Sequence, residues 1–423
     1  MGSVGASERF PRSSPYWPVV THRVLGRMLP SLAVSALGDG MAVVAVSWLA
    51  LQIAPPDARG TWVGVAVAAY TLPSVVGAVV FGRFLRAQSG VRVLGWNAAL
   101  RACALAAIPV ACGFGALTIG VYVGLLAVSA LLHSWGQAGR YTMVAEVLER
   151  RHHLSGNAMM TTLTEAATIA GPPLAGLITA WTGAVWVIAA NAATFAVLAI
   201  TCHRVRRRGY PGRGDTAATG DSRGPAARAA GFAVIRRDRT LLGLLGLTFG
   251  FFVLFGPVYV ALPIHVAEDL HASATTLGVF YTVFGVGAVC GGLAAGHLRR
   301  WPLNRVAVIT VLAFSLTMLP LGLGLPTVWA LVGFAAAGLV WAPFMPTAMA
   351  LLQRAAPPAG LSQVLAANGT IIVVAIPLGT MIGGPLVTTI GAQPTILACA
   401  LTTTALGLAA TTITLTHHHP HRQ

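Results

Sequence analysis

The chain contains no lysine. Its 27 basic residues are all arginine, and only 11 acids stand against them. Charged residues occupy 9% of the 423 positions, where a soluble domain carries about 25%. Without lysine there is no phosphate-binding loop of the GxxxxGKS/T kind, so ATP-driven work by this chain alone is not expected, nor is enzymatic activity. Cys103, Cys112, Cys202, Cys290 and Cys399 lie in or beside apolar runs with no CxxC pair. They read as small core residues, not a disulfide framework or a metal site. The terminal "HHHPHRQ" has no second ligand set, so no metal or cofactor is expected. The first 27 residues have no apolar core and no small-residue cleavage site, so a cleaved signal peptide is not expected there. Alternating ten-residue segments of a membrane barrel are absent as well.

What is present is apolar length. Hydrophobic residues make up 56% of the chain, and mean hydropathy is +0.76. Twelve runs can span ~30 Å of hydrocarbon: 25–53, 61–82, 92–113, 118–146, 156–180, 184–202, 241–264, 273–297, 305–325, 327–350, 363–389 and 393–416. The expectation is an all-α integral membrane protein of twelve transmembrane helices. Arginine clusters at alternate connections: Arg9 to Arg27, Arg83 to Arg92, Arg140 to Arg151, the stretch 204–239, Arg299 to Arg305, Arg354 and Arg422. The other connections are nearly uncharged. Basic loops stay cytoplasmic, which places both termini inside. The net charge of +16 therefore marks topology, and no nucleic-acid partner is expected. Arginine without lysine, among much alanine and glycine, points to a GC-rich bacterial genome and hence a bacterial inner membrane.

Residues 203–240 lack apolar period and are rich in Arg, Gly, Ala and Pro. They divide the chain into a cytoplasmic tail (1–24), a first six-helix bundle (25–202), an Arg-rich cytoplasmic linker (203–240) whose ends lie on anionic headgroups, a second bundle (241–416) and a short tail (417–423). The bundles repeat one another. Gly64, Gly77, Gly82 and Arg86 fall on Gly278, Gly291, Gly296 and Arg300 at an offset of 214; Gly171, Gly176, Gly183 and Ala184 fall on Gly379, Gly384, Gly391 and Ala392 at 208. Two pseudo-symmetric halves in parallel repeat are the architecture of a rocking transporter with its site between them near the midplane.

Three stretches then resemble the major facilitator superfamily and its drug- and metabolite-exporter branch. They are "SALGDGMAVVAVSW" in segment 1, Gly82 to Arg92 between segments 2 and 3, and "LSGNAMMTTLTEAATIAGPPLAGLI" leading into segment 5. The last is similar to the antiporter Gly-Pro motif, with Gly171, Pro172 and Gly176 as its core and Ala175 in place of a usual glycine. There are departures. Arg86, followed by Ala87, stands where the family has a gating Asp and then a basic residue. The Arg usual in segment 4 is missing, and His133 lies near its position. The resemblance implies a secondary active transporter exporting a small lipophilic or cationic compound, a drug or secondary metabolite, by proton antiport with alternating access. A proton-coupled importer and a non-transporting membrane sensor are the alternatives. Its partners would be the substrate, protons and lipid, and a monomer is expected.

Four ionisable residues fall deep inside spans of the first half: Asp39, Arg101, His133 and Glu165. At ~1.5 Å rise per residue each lies roughly 15–20 Å from the cytoplasmic end of its helix. The second half has no acid at matching positions; Val373 falls where Glu165 would repeat. An ionised carboxylate at mid-membrane costs about 2.5–3.5 kcal/mol. Burial makes a carboxyl hold its proton, and a neighbouring Arg loosens it, so a site moving between such environments couples protons. Asp39 is read as that coupling or substrate residue, or else as a cap on a break at Gly38-Asp39-Gly40, or as half of a static pair with Arg101. Glu165 is a second candidate. Arg101 is a counter-ion or a substrate contact, and His133 a proton relay or a plain hydrogen-bonding group. Trp135, Tyr259 and Trp341 are candidate cavity aromatics. Gly82, Arg86, Gly171, Pro172 and Gly176 are candidate gating and packing residues, with Pro172 expected to bend segment 5.

Overall fold

The computed structural model describes residues 17–85, 88–149, 152–208, 238–295, 301–356 and 361–416. Arg86, most of the 203–240 linker, residues 1–16 of the first tail and the whole of the second tail lie outside them. The described residues are almost wholly helical. After a short helix Trp17–Val20, they form α1 (Leu25–Ile53), α2 (Pro56–Val80), α3 (Gly90–Gly113), α4 (Ile119–Val147), α5 (His153–Thr182), α6 (Ala184–Arg207), α7 (Arg239–Ile264), α8 (Ala274–Ala295), α9 (Leu303–Gly322), α10 (Thr327–Ala355), α11 (Leu361–Ile390) and α12 (Ala392–Thr416). Eleven of these are long and apolar enough to cross a membrane by composition. The twelfth is α5, whose Thr161, Thr162, Thr164, Glu165 and Thr168 dilute an otherwise apolar thirty-residue helix.

The packing repeats between halves. In the first, α1 lies against α5 and α6, and α3 against α6. In the second, α7 lies against α11 and α12, and α9 against α12. The halves meet through α2 with α11 and α5 with α8, the same pair of helices exchanged by the repeat.

Two breaks shape the first half. Pro73 lacks an N–H and crowds the preceding turn, so α2 stops at Ala69 and restarts at Pro73. Tyr70 sits in that gap. α4 breaks at Leu131 and Leu132 and restarts at His133. The breaks touch: a Cβ on Gly77 would collide with the Leu131 carbonyl, and Trp135 Nε1 donates to the Gly77 carbonyl at 3.1 Å. The second half repeats the contact with Gly291 against the Leu339 carbonyl.

Glycine also decides where helices touch. Gly40 of α1 and Gly171 of α5 meet backbone to backbone, with no room for a Cβ on either. Between the halves, Gly60 and Gly64 of α2 approach Gly384 and Thr380 of α11, and Gly176 of α5 approaches Ala274 of α8. These approaches lie at the end of the molecule remote from the linker. Polar contacts reinforce that seal: Arg59 Nη1 donates to Glu268 Oε1 at 2.8 Å, Thr61 and Thr388 hydroxyls are 3.3 Å apart, and Thr275 Oγ1 donates to the Gly176 carbonyl at 3.2 Å. Toward the linker end, the last glycine approach between halves among the described residues is Gly285 on Ile169. The helix α5 runs unbroken through Pro172 and Pro173. The expected interruption of its hydrogen bonding does not end the helix, and the Gly-Pro stretch acts here through close packing.

Crowding at these glycines predicts unequal tolerance. Gly40→Leu should lower the melting temperature of the detergent-solubilised protein, by an overpacking cost of about 1–3 kcal/mol or more. Gly124→Leu, with open space where its Cβ would go, should leave it nearly unchanged.

Candidate functional site

The deepest polar feature is built around Arg101. Its side chain is 0% exposed, among the largest fully buried side chains of the molecule. Nη2 donates to Asp39 Oδ1 at 2.5 Å and also to the Tyr70 hydroxyl. Tyr70 in turn donates to Asp39 Oδ1 at 2.9 Å, and Asn191 Nδ2 donates to Tyr70 at 3.4 Å. On the other side Arg101 Nη1 lies 2.6 Å from His133 Nδ1. A guanidinium only donates, so Nδ1 accepts and His133 carries its hydrogen on Nε2. The guanidinium carbon is 4.9 Å from the Tyr70 ring centroid and 4.5 Å from that of Phe195. Five helices thus converge on one cation: α1, α2, α3, α4 and α6.

The glycines beside Asp39 explain how it gets there. Gly38 leaves space for Asn191 and Thr194 of α6, and Gly40 for the Ala167 carbonyl of α5. α1 is continuous through Gly38-Asp39-Gly40, so there is no local break for Asp39 to cap. Its job is outside its own helix. A buried ion pair is sustained only when its remaining hydrogen-bonding groups are met. Here Tyr70, His133 and two ring faces supply most of that, and only the Arg101 Nε is left without a hydrogen-bond partner.

Asp39 keeps 23% of its side chain exposed, and the cluster borders, through Tyr70 and His133, a cavity of about 550 Å³ between the halves. Tyr70, His133 and Gln137 line it from the first half, and Tyr259, Val373 and Ile376 from the second. Its wall is mostly hydrocarbon, with hydroxyls, an imidazole and an amide but no free carboxylate. An apolar pocket of about 480 Å³, including Pro73, Leu131 and Val374, lies alongside.

Three of the four buried ionisable residues expected from the sequence therefore come together, and one does not. Glu165 is exposed on α5 and takes no part in the cluster. The turn of the helix is the reason. α5 meets α1 through Ala167 and Gly171, and Glu165 is two residues, about 200°, from Ala167. Of the expected cavity aromatics only Tyr259 lines the cavity. Trp135 is spent on Gly77. Trp341 is half-buried against the second half's aromatic core, 4.7 Å from Phe255 and 4.9 Å from Phe251 between ring centroids. Gly171 and Gly176 pack α5 on α1 and α8; Gly82 opens the short helix Gly82–Leu85 at the linker end of α2. Asn191, Phe195 and Gln137 were not anticipated. Nothing in their spacing marked them, because their importance comes from the partners brought by other helices.

The Major Facilitator Superfamily sequence model matches residues 28–380. The chain belongs to this superfamily. It is a multi-pass membrane transporter of small molecules. It is 26% identical to the multidrug efflux pump Tap of Mycolicibacterium fortuitum over 385 residues, covering 88% of this chain and 91% of that one. It is 28% identical to Tap of Mycobacterium tuberculosis (strain ATCC 25618 / H37Rv) over 389 residues, covering 89% and 90%. Solved structures share the fold at lower identity. A bacterial homologue of the iron transporter ferroportin, in an inward-facing state, superposes with a TM-score of 0.68 at 15% identity, covering 92% of this chain and 98% of that one. A D-xylose-proton symporter does so with 0.67 at 14%, covering 91% and 96%.

In this superfamily member the cation beside His133 comes from α3, through Arg101. Removing one partner of a buried pair costs about 3–5 kcal/mol, more than replacing both. Arg101→Leu should therefore depress the melting temperature strongly. Combining it with Asp39→Leu should recover part of the loss, and a strictly additive double variant would contradict the pairing.

Proposed function

We propose that this transporter exports a small, largely apolar compound in exchange for protons, by alternating access. The observation that carries the reading is the Asp39 carboxylate, held by Arg101 and by Tyr70, whose side chain lines the inter-half cavity. A proton on Asp39 removes the negative half of the pair. Arg101 then keeps only His133, Tyr70 and the ring faces, and the junction of five helices loses its strongest tie. Loss of the proton restores it. One ion thus alters the packing of the whole first half, which is what a driving ion must do to shift a two-state equilibrium.

The direction of transport is supported by the relatives named as multidrug efflux pumps, which align along nearly the whole chain. The arginine distribution supports a cytoplasmic linker and cytoplasmic termini. With that orientation, the sealed end faces outward and the cavity loads from inside. The sequence allowed a lipophilic or a cationic substrate. The wall favours the lipophilic one, because it carries no carboxylate and the nearby Asp39 is already engaged by Arg101.

Dye efflux from cells tests this. Wild type should extrude a lipophilic dye, a proton uncoupler should stop it, and Asp39→Asn at matched membrane level should reduce it by tenfold or more. Efflux by Asp39→Asn at the wild-type rate, or efflux indifferent to the uncoupler, would remove Asp39 from the coupling role.

A further inference from the structure

One buried charge is left over by this site. Arg140, on α4, is 7% exposed. Its Nε is sealed from solvent with no hydrogen-bond partner, and its guanidinium makes no hydrogen bond or ion pair with any described residue. It belongs to the arginines that mark the linker side in the sequence, yet it is not a loop residue. It lies seven residues, two turns and about 10 Å, from His133 toward the linker end, and residues so spaced share a helix face. His133 and Gln137 of that face line the cavity.

An uncompensated guanidinium in a membrane-embedded bundle is costly, and such residues mark ligand paths. No acid among the described residues is paired with it, Glu165 included, which is exposed on α5. Asp39 is engaged by Arg101. Glu146, on the same helix, accepts from the Gly90 N–H. Across the cavity, the sequence contains no acid after Asp269. Asp238, at the linker end of α7, caps that helix through Thr240 and Leu241 N–H, and Glu268 and Asp269 lie at the opposite end. Rocking of the second half over Arg140 therefore brings no carboxylate to it.

We propose that Arg140 binds the acidic group of an amphiphilic anion, a carboxylate or sulfonate, whose apolar body occupies the cavity of about 550 Å³. The guanidinium fork suits a planar oxyanion, and the hydrocarbon wall suits the body. The inference deepens the export reading by naming a substrate class, and it rests on that reading only for the claim that the bound compound is also transported.

Three isologous probes test it: pyrenebutyrate, the neutral pyrenebutyramide and the cationic pyrenebutylammonium. Each is titrated at neutral pH into the full-length protein in nanodiscs, with empty nanodiscs subtracted. Wild type should bind the acid about tenfold more tightly than the amide, and the ammonium no more tightly than the amide. Arg140→Gln should bind acid and amide equally, with the amide affinity unchanged. Wild type without a preference for the acid, or a preference that survives Arg140→Gln, overturns the proposal. Should Arg140→Gln bind none of the three, Arg140→Lys decides: a retained acid preference supports the site, and equal binding of acid and amide overturns it. Binding is read without pumping. A failed dye-efflux test therefore counts against export alone, and a failed probe ranking counts against the anion site alone.

Discussion

The first half of the molecule is organised around a single ion pair. Arg101 cannot stay in hydrocarbon surroundings without a partner, and Asp39 cannot sit at mid-membrane without one. Their contact, 2.5 Å between Nη2 and Oδ1, fixes the depth at which α1 and α3 face each other. Everything nearby answers to it. Pro73 breaks α2 just past Tyr70, the α4 break puts His133 at the start of a new segment, and Gly38 lets α6 bring Asn191 and Phe195 close. Among the described residues the second half has no counterpart. There the matching volume is filled by Phe251, Phe255, Phe314 and Trp341, whose rings pack on one another.

The two ends of the molecule are built differently. At the sealed end, glycine-to-backbone contacts and three side-chain bonds join the halves. The Arg59–Glu268 pair there is about two-fifths exposed on each side, so it contributes little in water. Close packing of small residues does most of the holding, as expected where lipid offers no hydrophobic drive between helices. Such a seal opens without stranding a buried charge, which suits a surface that must separate in each transport cycle.

Much of this was legible in the sequence. Apolar length, arginine alternation and the glycine repeat are one-dimensional signals, and they carried the twelve helices and the two halves. Asp39, Arg101 and His133 stood out because a charge inside an apolar run needs a reason. Glu165 stood out equally and is elsewhere, because depth along a helix is readable from spacing whereas the face it presents depends on which neighbour the helix meets. Trp341 and Trp135 fail for a related reason: an aromatic ring in a span satisfies core, cavity and lipid alike. Arg140 was hidden by its company. Close in sequence to loop arginines, it reads as a marker of sidedness until its lack of a partner is visible.

Charge and contour are divided between the halves. Every ionised group near the cavity belongs to the first, while Val373, Ile376 and Tyr259 shape the wall from the second. Residues of α7 and α11 can therefore change size and shape without disturbing the Asp39–Arg101 junction. Over evolutionary time such a division lets one lineage retune what it carries while keeping the same engine. Diversity among relatives should then accumulate on the second half's side of the cavity and be sparse on the first.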